Sequence, residues 1–325
     1  MTAPGTTGWR QAIPIDDHAG EHARAQRLGA LGMLFLAMLF WSGNQIVGRA
    51  VNQDIPPLTL SLLRWIVALA VLLPFAAGHL KRDRAALIAA WKPVLLLGIT
   101  GVGLFNTLVY RGLHNTTAAN ALLLQAAIPA LVLLLDRLVF KLRAPRAQLL
   151  GVLISTLGVL AIVAHGSPAR LLALHLGEGD ALVLLAVCVW AIYTSFLKLR
   201  PAVHPLSFLA ATFVVGAVFL LPAPLIEADA LAGVRWTPRL IGAIAYVGIF
   251  PSIIAYLLFN LAVARIGAAP AGQTLSLMPL FGALSAAAIL SEPLFAYHFA
   301  GMGLILGGIA LTYVAGAAPG RPRTK

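Results

Sequence analysis

The chain has 325 residues, 60% of them hydrophobic and only 10% charged, against roughly 45–50% and about 25% in an ordinary soluble domain. That excess excludes a water-soluble globule, and apolar runs of about 20 residues without in/out alternation exclude a β-barrel, leaving membrane-spanning helices. The net charge of +12 is scattered at the ends of the apolar runs rather than gathered into a basic stripe with interleaved aromatics, so no nucleic-acid partner is expected.

Residues 1–28 are polar and lack the apolar core of a signal peptide, and are expected to form a disordered cytoplasmic tail. Windows of about 19 residues then place ten spans, near 29–50, 58–78, 93–112, 117–138, 147–164, 180–198, 205–223, 239–260, 268–290 and 296–316, followed by a second tail at 317–325. Polar links are expected at 79–92, 165–179 and 224–238, with no room for an extramembrane domain. The single cysteine, Cys188, precludes an internal disulfide and a cysteine metal cluster, and is expected to be a small packing residue. With the N-terminus inside, 17 Lys and Arg residues fall on the cytoplasmic side and 5 outside, with Arg64 inside a span, so the positive-inside rule places both termini in the cytoplasm.

Shifting the chain by 150 residues superposes Gly98-Ile99 on Gly248-Ile249, Ala118-Ala119 on Ala268-Ala269, Pro129 on Pro279, Gly151 on Gly301 and Gly158 on Gly308; a shift of 149 superposes Trp41 on Trp190. Each coincidence is weak alone, but the register persists across three spans. A five-span unit is odd, so its second copy inserts upside down. The loop bearing Lys141, Arg143 and Arg146 accordingly has a counterpart without basic residues, Ser291-Glu292-Pro293, on the opposite side. The expected fold is therefore all-α, ten transmembrane helices in two inverted five-helix repeats, 29–164 and 180–316, around a central cavity. That is a recurring architecture of secondary transporters.

Several segments carry a family resemblance: Phe40-Trp41-Ser42-Gly43-Asn44, Pro57 with Leu63-Arg64-Trp65, Ala118-Ala119-Asn120-Ala121 through Pro129, Ala268-Ala269-Pro270-Ala271 through Pro279, and Ser291-Glu292-Pro293. In this order and spacing the chain after residue 28 resembles the EamA-type family of the drug/metabolite transporter superfamily. The resemblance implies two five-helix repeats, a central cavity and export of small metabolites, commonly amino acids in some members. The first copy departs from the family pattern in having Leu142 where the second has Glu292.

Polar side chains inside lipid must face the bundle interior or one another, which selects the cavity candidates. They are Trp41 and Asn44 in the first span, Asn106 and Tyr110 in the third, Asn120 and Gln125 in the fourth, Trp190 and Tyr193 in the sixth, Ser252 and Tyr256 in the eighth, and Gln273 and Thr274 in the ninth. Asn106 and Tyr110, like Ser252 and Tyr256, recur on one helical face. Helix packing and interhelical hydrogen bonding are the competing roles. Pro129 and Pro279 each follow polar residues and are candidate kinks or hinges. Arg64, roughly 9 Å into its span, can snorkel to the outer interface, pair with Asp54 or meet a substrate carboxylate. Glu292 is expected to cap the tenth helix.

No Asp or Glu falls at mid-span, so proton coupling through Asp180 or a histidine and facilitated diffusion both stay open; no Walker loop supplies ATP chemistry. Scarce mid-membrane Lys and Arg favour a neutral or zwitterionic metabolite over a phosphorylated one. No metal, cofactor or catalytic residue is expected, and the chain is taken as a monomer embedded in inner-membrane lipid. A lipid-modifying enzyme is the first alternative, but His114, His165 and His175 lack a partner acid at ligand spacing. A passive channel is the second, and the sequence lacks the charged rings of a pore.

Overall fold

Proline marks where several helices begin. Pro57, Pro205 and Pro238 each occupy the first turn of a helix, where a missing N–H costs nothing and the fixed φ suits the helix. The computed structural model describes residues 17–116, 121, 124–164, 166, 167, 169, 177–290 and 294–317. Within them run α1 (Asp17–Ala50), α2 (Pro57–Ala89), α3 (Trp91–Gly112), α4 (Ile128–Leu138), α5 (Arg146–Val163), α6 (Glu178–Phe196), α7 (Pro205–Leu220), α8 (Pro238–Ile266), α9 (268–290) and α10 (Ala296–Ala317).

Eight of these helices, all except α4 and α9, are long and apolar enough to cross a membrane among the described residues. The expected fourth span is represented by the 11 residues of α4 and a few described residues before it. The ninth is interrupted by a 3-10 turn at Thr274–Ser276. Two boundaries differ from the sequence expectation. α1 begins at Asp17, inside the stretch expected as a disordered tail. α2 continues through the expected polar link to Ala89, because Leu80-Lys81-Arg82 and Arg84-Ala85-Ala86-Leu87 are good helix formers with no breaker among them.

Pro56 supplies no side-chain cap to α2; a distant carboxylate does. Glu227, between two short helical turns after α7, accepts from Leu58 N at 3.0 Å, Thr59 N at 2.8 Å and Thr59 Oγ1 at 2.9 Å. At the far end of α8, Gly267 turns with φ +92°, a conformation favouring glycine, and so lets α9 begin at once.

The outer faces are apolar: Phe75 is 70% exposed, and Leu149, Leu150, Leu153 and Leu157 project from one side of α5. Such a surface fits lipid and not water. Cys188 lies exposed on α6 rather than packed, correcting the expectation.

Inside, the helices meet in matching pairs. α2 packs on α7 and α5 on α10; α1 packs on α8 as α6 packs on α3. α5 and α10 touch through backbone. A Cβ on Gly158 would lie 2.6 Å from the Gly301 carbonyl, and one on Gly308 would lie 2.4 Å from that of Gly151. α3 and α8 each contain a π-helical turn at the same relative place, Gly98–Leu104 and Ile249–Ile254. Glycine makes room for the first: a Cβ on Gly101 would fall 2.3 Å from the Tyr193 ring.

Candidate functional site

Where α1, α3, α6 and α8 cross, large rings fill the centre. Trp41 and Trp190 meet edge to face at 5.1 Å, and Tyr256 stands edge-on to Trp41, Trp65 and Trp190 at 5.6 to 5.7 Å. Phe105 and Phe259 close on Trp190 at 4.5 and 5.7 Å, and Trp65 meets Phe213 at 4.7 Å. Such contacts add about 0.5–1.5 kcal/mol each beyond burial.

The π-turns join this layer. Tyr256 OH donates to the Gly101 carbonyl and Trp41 Nε1 donates to that of Pro251, at 2.9 Å. The two acceptors are 150 residues apart in the chain. A π-turn widens the backbone locally and is often found at functional sites.

Above the layer, Arg64 gathers polar groups from three other helices. It is fully buried, and its Nε donates to Ser252 Oγ at 2.5 Å. Nη1 donates to Asn44 Oδ1 at 3.2 Å, Asn106 Oδ1 at 2.8 Å and Tyr110 OH at 3.0 Å. Tyr110 OH in turn donates to Asn44 Oδ1 at 2.7 Å, and Asn106 Nδ2 to Tyr256 OH at 3.4 Å. Below the layer, a plainer pair occupies the corresponding place, Tyr193 OH donating to Asn260 Oδ1 at 2.8 Å.

A narrow cavity of about 20 Å³, room for one water, lies against Trp41, Asn44, Asn106, Gln125, Trp190 and Tyr256. Toward the Lys198 end of the bundle an open cleft of about 700 Å³ is lined by Asp136, Gln148, Lys198, Arg200 and Pro270, among others. Asp136 accepts there from Lys198 Nζ and from Ser195 Oγ. Arg200 Nη1 donates to the Asn260 carbonyl at 3.0 Å, so the cleft reaches the lower pair. Half-burial there lowers the Arg200 pKa below its ordinary value, because desolvation disfavours the charge.

Of the residues expected at a cavity, the structure brings together Trp41, Asn44, Asn106, Tyr110, Gln125, Trp190, Tyr193, Ser252 and Tyr256. Gln125 Nε2 also donates to the Ala121 carbonyl at 3.2 Å. Gln273 and Thr274 stand apart. Gln273 Nε2 donates to Ser155 Oγ and the Gly308 carbonyl on the α5–α10 pair, and Thr274 Oγ1 to the nearby Ala271 carbonyl. Asn120 and Glu292 lie outside the described residues. Pro129 and Pro279 each sit in the first turn after a break in the helix, at 126–127 and at Thr274–Ser276.

Arg64 neither snorkels nor pairs with Asp54: it is 0% exposed and its bonds go to Asn44, Asn106, Tyr110 and Ser252. Its depth was legible in the sequence; its neighbours were not. Asp136, Lys198 and Phe259 were also missed, and the one available signal was an acidic residue in the last turn of a span. Asp180, one of the residues through which proton coupling stays open, caps α6, accepting from Gly177 N at 2.9 Å and from Thr116 Oγ1.

The model of the EamA-like transporter family matches residues 28–164 and again 177–314. The uncharacterized transporter YetK of Bacillus subtilis (strain 168) is 27% identical over 312 residues, covering 95% of this chain and 94% of its own. The uncharacterized inner membrane transporter YedA of Escherichia coli (strain K12) is 26% identical over 300 residues, 88% of this chain and 91% of its own. A solved crystal structure at 19% identity superposes with a TM-score of 0.69 over 88% of this chain and 96% of its own, a likeness of fold. With two matches that together span most of its length, the chain is a multi-pass membrane protein belonging to the EamA-like transporter family.

Proposed function

We propose that this chain is a secondary transporter of the inner membrane that exports small amphipathic metabolites, amino acids among them, by alternating access between two inverted five-helix repeats, residues 29–164 and 180–316. One observation carries the reading. At the junction of the two family repeats an aromatic layer borders a 20 Å³ cavity that Asn44, Asn106 and Gln125 also line, while a 700 Å³ cleft opens on one side.

The inverted arrangement is supported by residues that meet their own counterparts: Trp41 with Trp190, Trp65 with Phe213, and Asn106 with Tyr256. Self-pairing of this kind is what a two-fold axis in the membrane plane produces. The charge count orients the cleft, with its Arg143, Lys198 and Arg200, toward the cytoplasm and the Arg64 cluster toward the outside. Solute enters through the cleft and reaches the Trp41–Trp190–Tyr256 layer. The halves then rock, with the breaks before Pro129 and Pro279 as hinges, and the pocket opens outward. The apolar faces of Trp41 and Trp190 take the body of the solute, and Asn44, Asn106, Gln125 and Tyr256 its polar groups.

Purified full-length protein in liposomes, assayed with a panel of radiolabelled amino acids, tests this. Saturable flux that Trp190→Ala reduces at least tenfold is the expected outcome. Non-saturable flux, or flux indifferent to Trp190→Ala, refutes it.

A further inference from the structure

We propose that Arg64 is the anion-binding residue of the solute site and that the transported molecule therefore carries a carboxylate, as a zwitterion or a simple organic acid. This rests on the transporter reading above and narrows its substrate class.

A guanidinium is a cation with five N–H donors. Here it is fully buried, and no carboxylate pairs with it among the described residues. Its partners are four neutral oxygens, and Nη2 has no hydrogen-bond partner among the described residues. A buried charge left without a counter-ion is costly, and native proteins supply one from a side chain, an ion or a ligand. The face of Trp65, 4.8 Å from the guanidinium carbon, offsets only part of that cost.

The fold contains its own control. Gly248 of α8 approaches the Arg64 carbonyl and Val67 of α2; its counterpart Gly98 of α3 approaches the Thr212 carbonyl and Val215 of α7. Thr212 is thus the residue equivalent to Arg64 in the second copy. Its hydroxyl donates only within its own helix, to Phe208 and Leu209 carbonyls. The second copy builds the same helix, the same close crossing and the same Tyr–Asn pair with a neutral threonine at the position of Arg64; Arg200, at the cleft, reaches that pair only through the Asn260 carbonyl. Helix packing therefore does not require the guanidinium in the first.

Position agrees with a binding role. Two of the three Nη1 acceptors, Asn44 and Asn106, form the wall of the central cavity beside Trp41 and Trp190. One cation among neutral amides and aromatic faces matches one carboxylate on an apolar body. A phosphate dianion would call for further cationic donors, and none joins this cluster among the described residues.

The test uses full-length protein in detergent and in liposomes, with matched probes: the twenty amino acids, L-phenylalaninamide and L-leucinamide, phenethylamine, and phenylacetate. Thermal stabilisation and flux confined to carboxylates, weakened roughly tenfold to a hundredfold in Arg64→Gln and partly restored in Arg64→Lys, support the assignment. Equal effects of the amides or amines overturn it, and wild-type protein alone decides this should Arg64→Gln fail to fold. Carboxylate-selective flux unchanged in Arg64→Gln also overturns it. In both of those cases solute still moves and the transporter reading stands. Absence of saturable flux for every probe overturns both.

Discussion

Tyr256→Phe deletes one oxygen from the middle of the bundle and so isolates the bond between α8 and the π-turn of α3. The hydroxyl donates to the Gly101 carbonyl and accepts from Asn106 Nδ2 at 3.4 Å. The ring, with its edge toward Trp41, Trp65 and Trp190, is untouched. Leaving the carbonyl without its donor in a dry interior costs about 1–3 kcal/mol. Tyr256→Ala removes the ring as well, opening a void among five aromatic neighbours, and should cost about 3–5 kcal/mol. Thermal unfolding of purified protein in one detergent, followed by tryptophan fluorescence, should rank wild type above Phe and Phe above Ala. Trp41→Phe, which deletes the corresponding bond to Pro251 O, should resemble Tyr256→Phe. If Phe at 256 unfolds with the wild type, or as early as Ala, the π-turn carbonyl is not a load the hydroxyl carries and the account of this junction fails.

Other perturbations test the frame around the site. Gly158→Ala and Gly308→Ala each push a methyl into a facing backbone carbonyl, at 2.6 and 2.4 Å, and should destabilise by about 1–3 kcal/mol; a Tm equal to wild type would mean the α5–α10 pair yields freely. Glu227→Gln keeps the shape but removes the charge that caps α2, and should cost about 1 kcal/mol, while Glu227→Ala should cost more; equal Tm for all three would show the cap to be idle. For topology, cysteines placed one at a time at Gln53, Arg84, Lys141 and Arg235 in a Cys188→Ser background should react with an impermeant maleimide from outside at 53 and 235 only. Labelling from outside at 84 or 141 would break the parity on which the inverted reading stands.

Hydropathy made most of the frame legible, because lipid imposes length and apolar composition on each crossing helix separately. Periodicity did nearly as well for Asn106 with Tyr110 and Ser252 with Tyr256, whose shared helical face does point inward. Polarity within a span, the ground on which Gln273 was expected at the cavity, did less well: Gln273 turns to the α5–α10 seam, where Ser155 and the Gly308 carbonyl receive it. A polar stripe says that a helix has an interior face, not which interior it meets. Glu227 shows the same limit more sharply, since it caps a helix 168 residues away and no local pattern in either segment announces the other.

Arg64 is the instructive case, because the means of reading it lay in the repeat itself. The matching register is 150 for the third spans and 149 for the first, so an ungapped shift sets Arg64 against Val214 or Phe213. The contacts at Gly98 and Gly248 require 148 for the second spans, which pairs Arg64 with Thr212 and Val67 with Val215. The register thus slips between neighbouring helices, absorbed in the connecting turns. In a duplicated fold the residues serving architecture recur at the corrected register, as Gly98 and Gly248 do and as the two tyrosine–asparagine pairs do with their members exchanged. A buried charge present in one copy only is released from that architectural constraint, and its cost in lipid has to be balanced by a task the other copy does not perform.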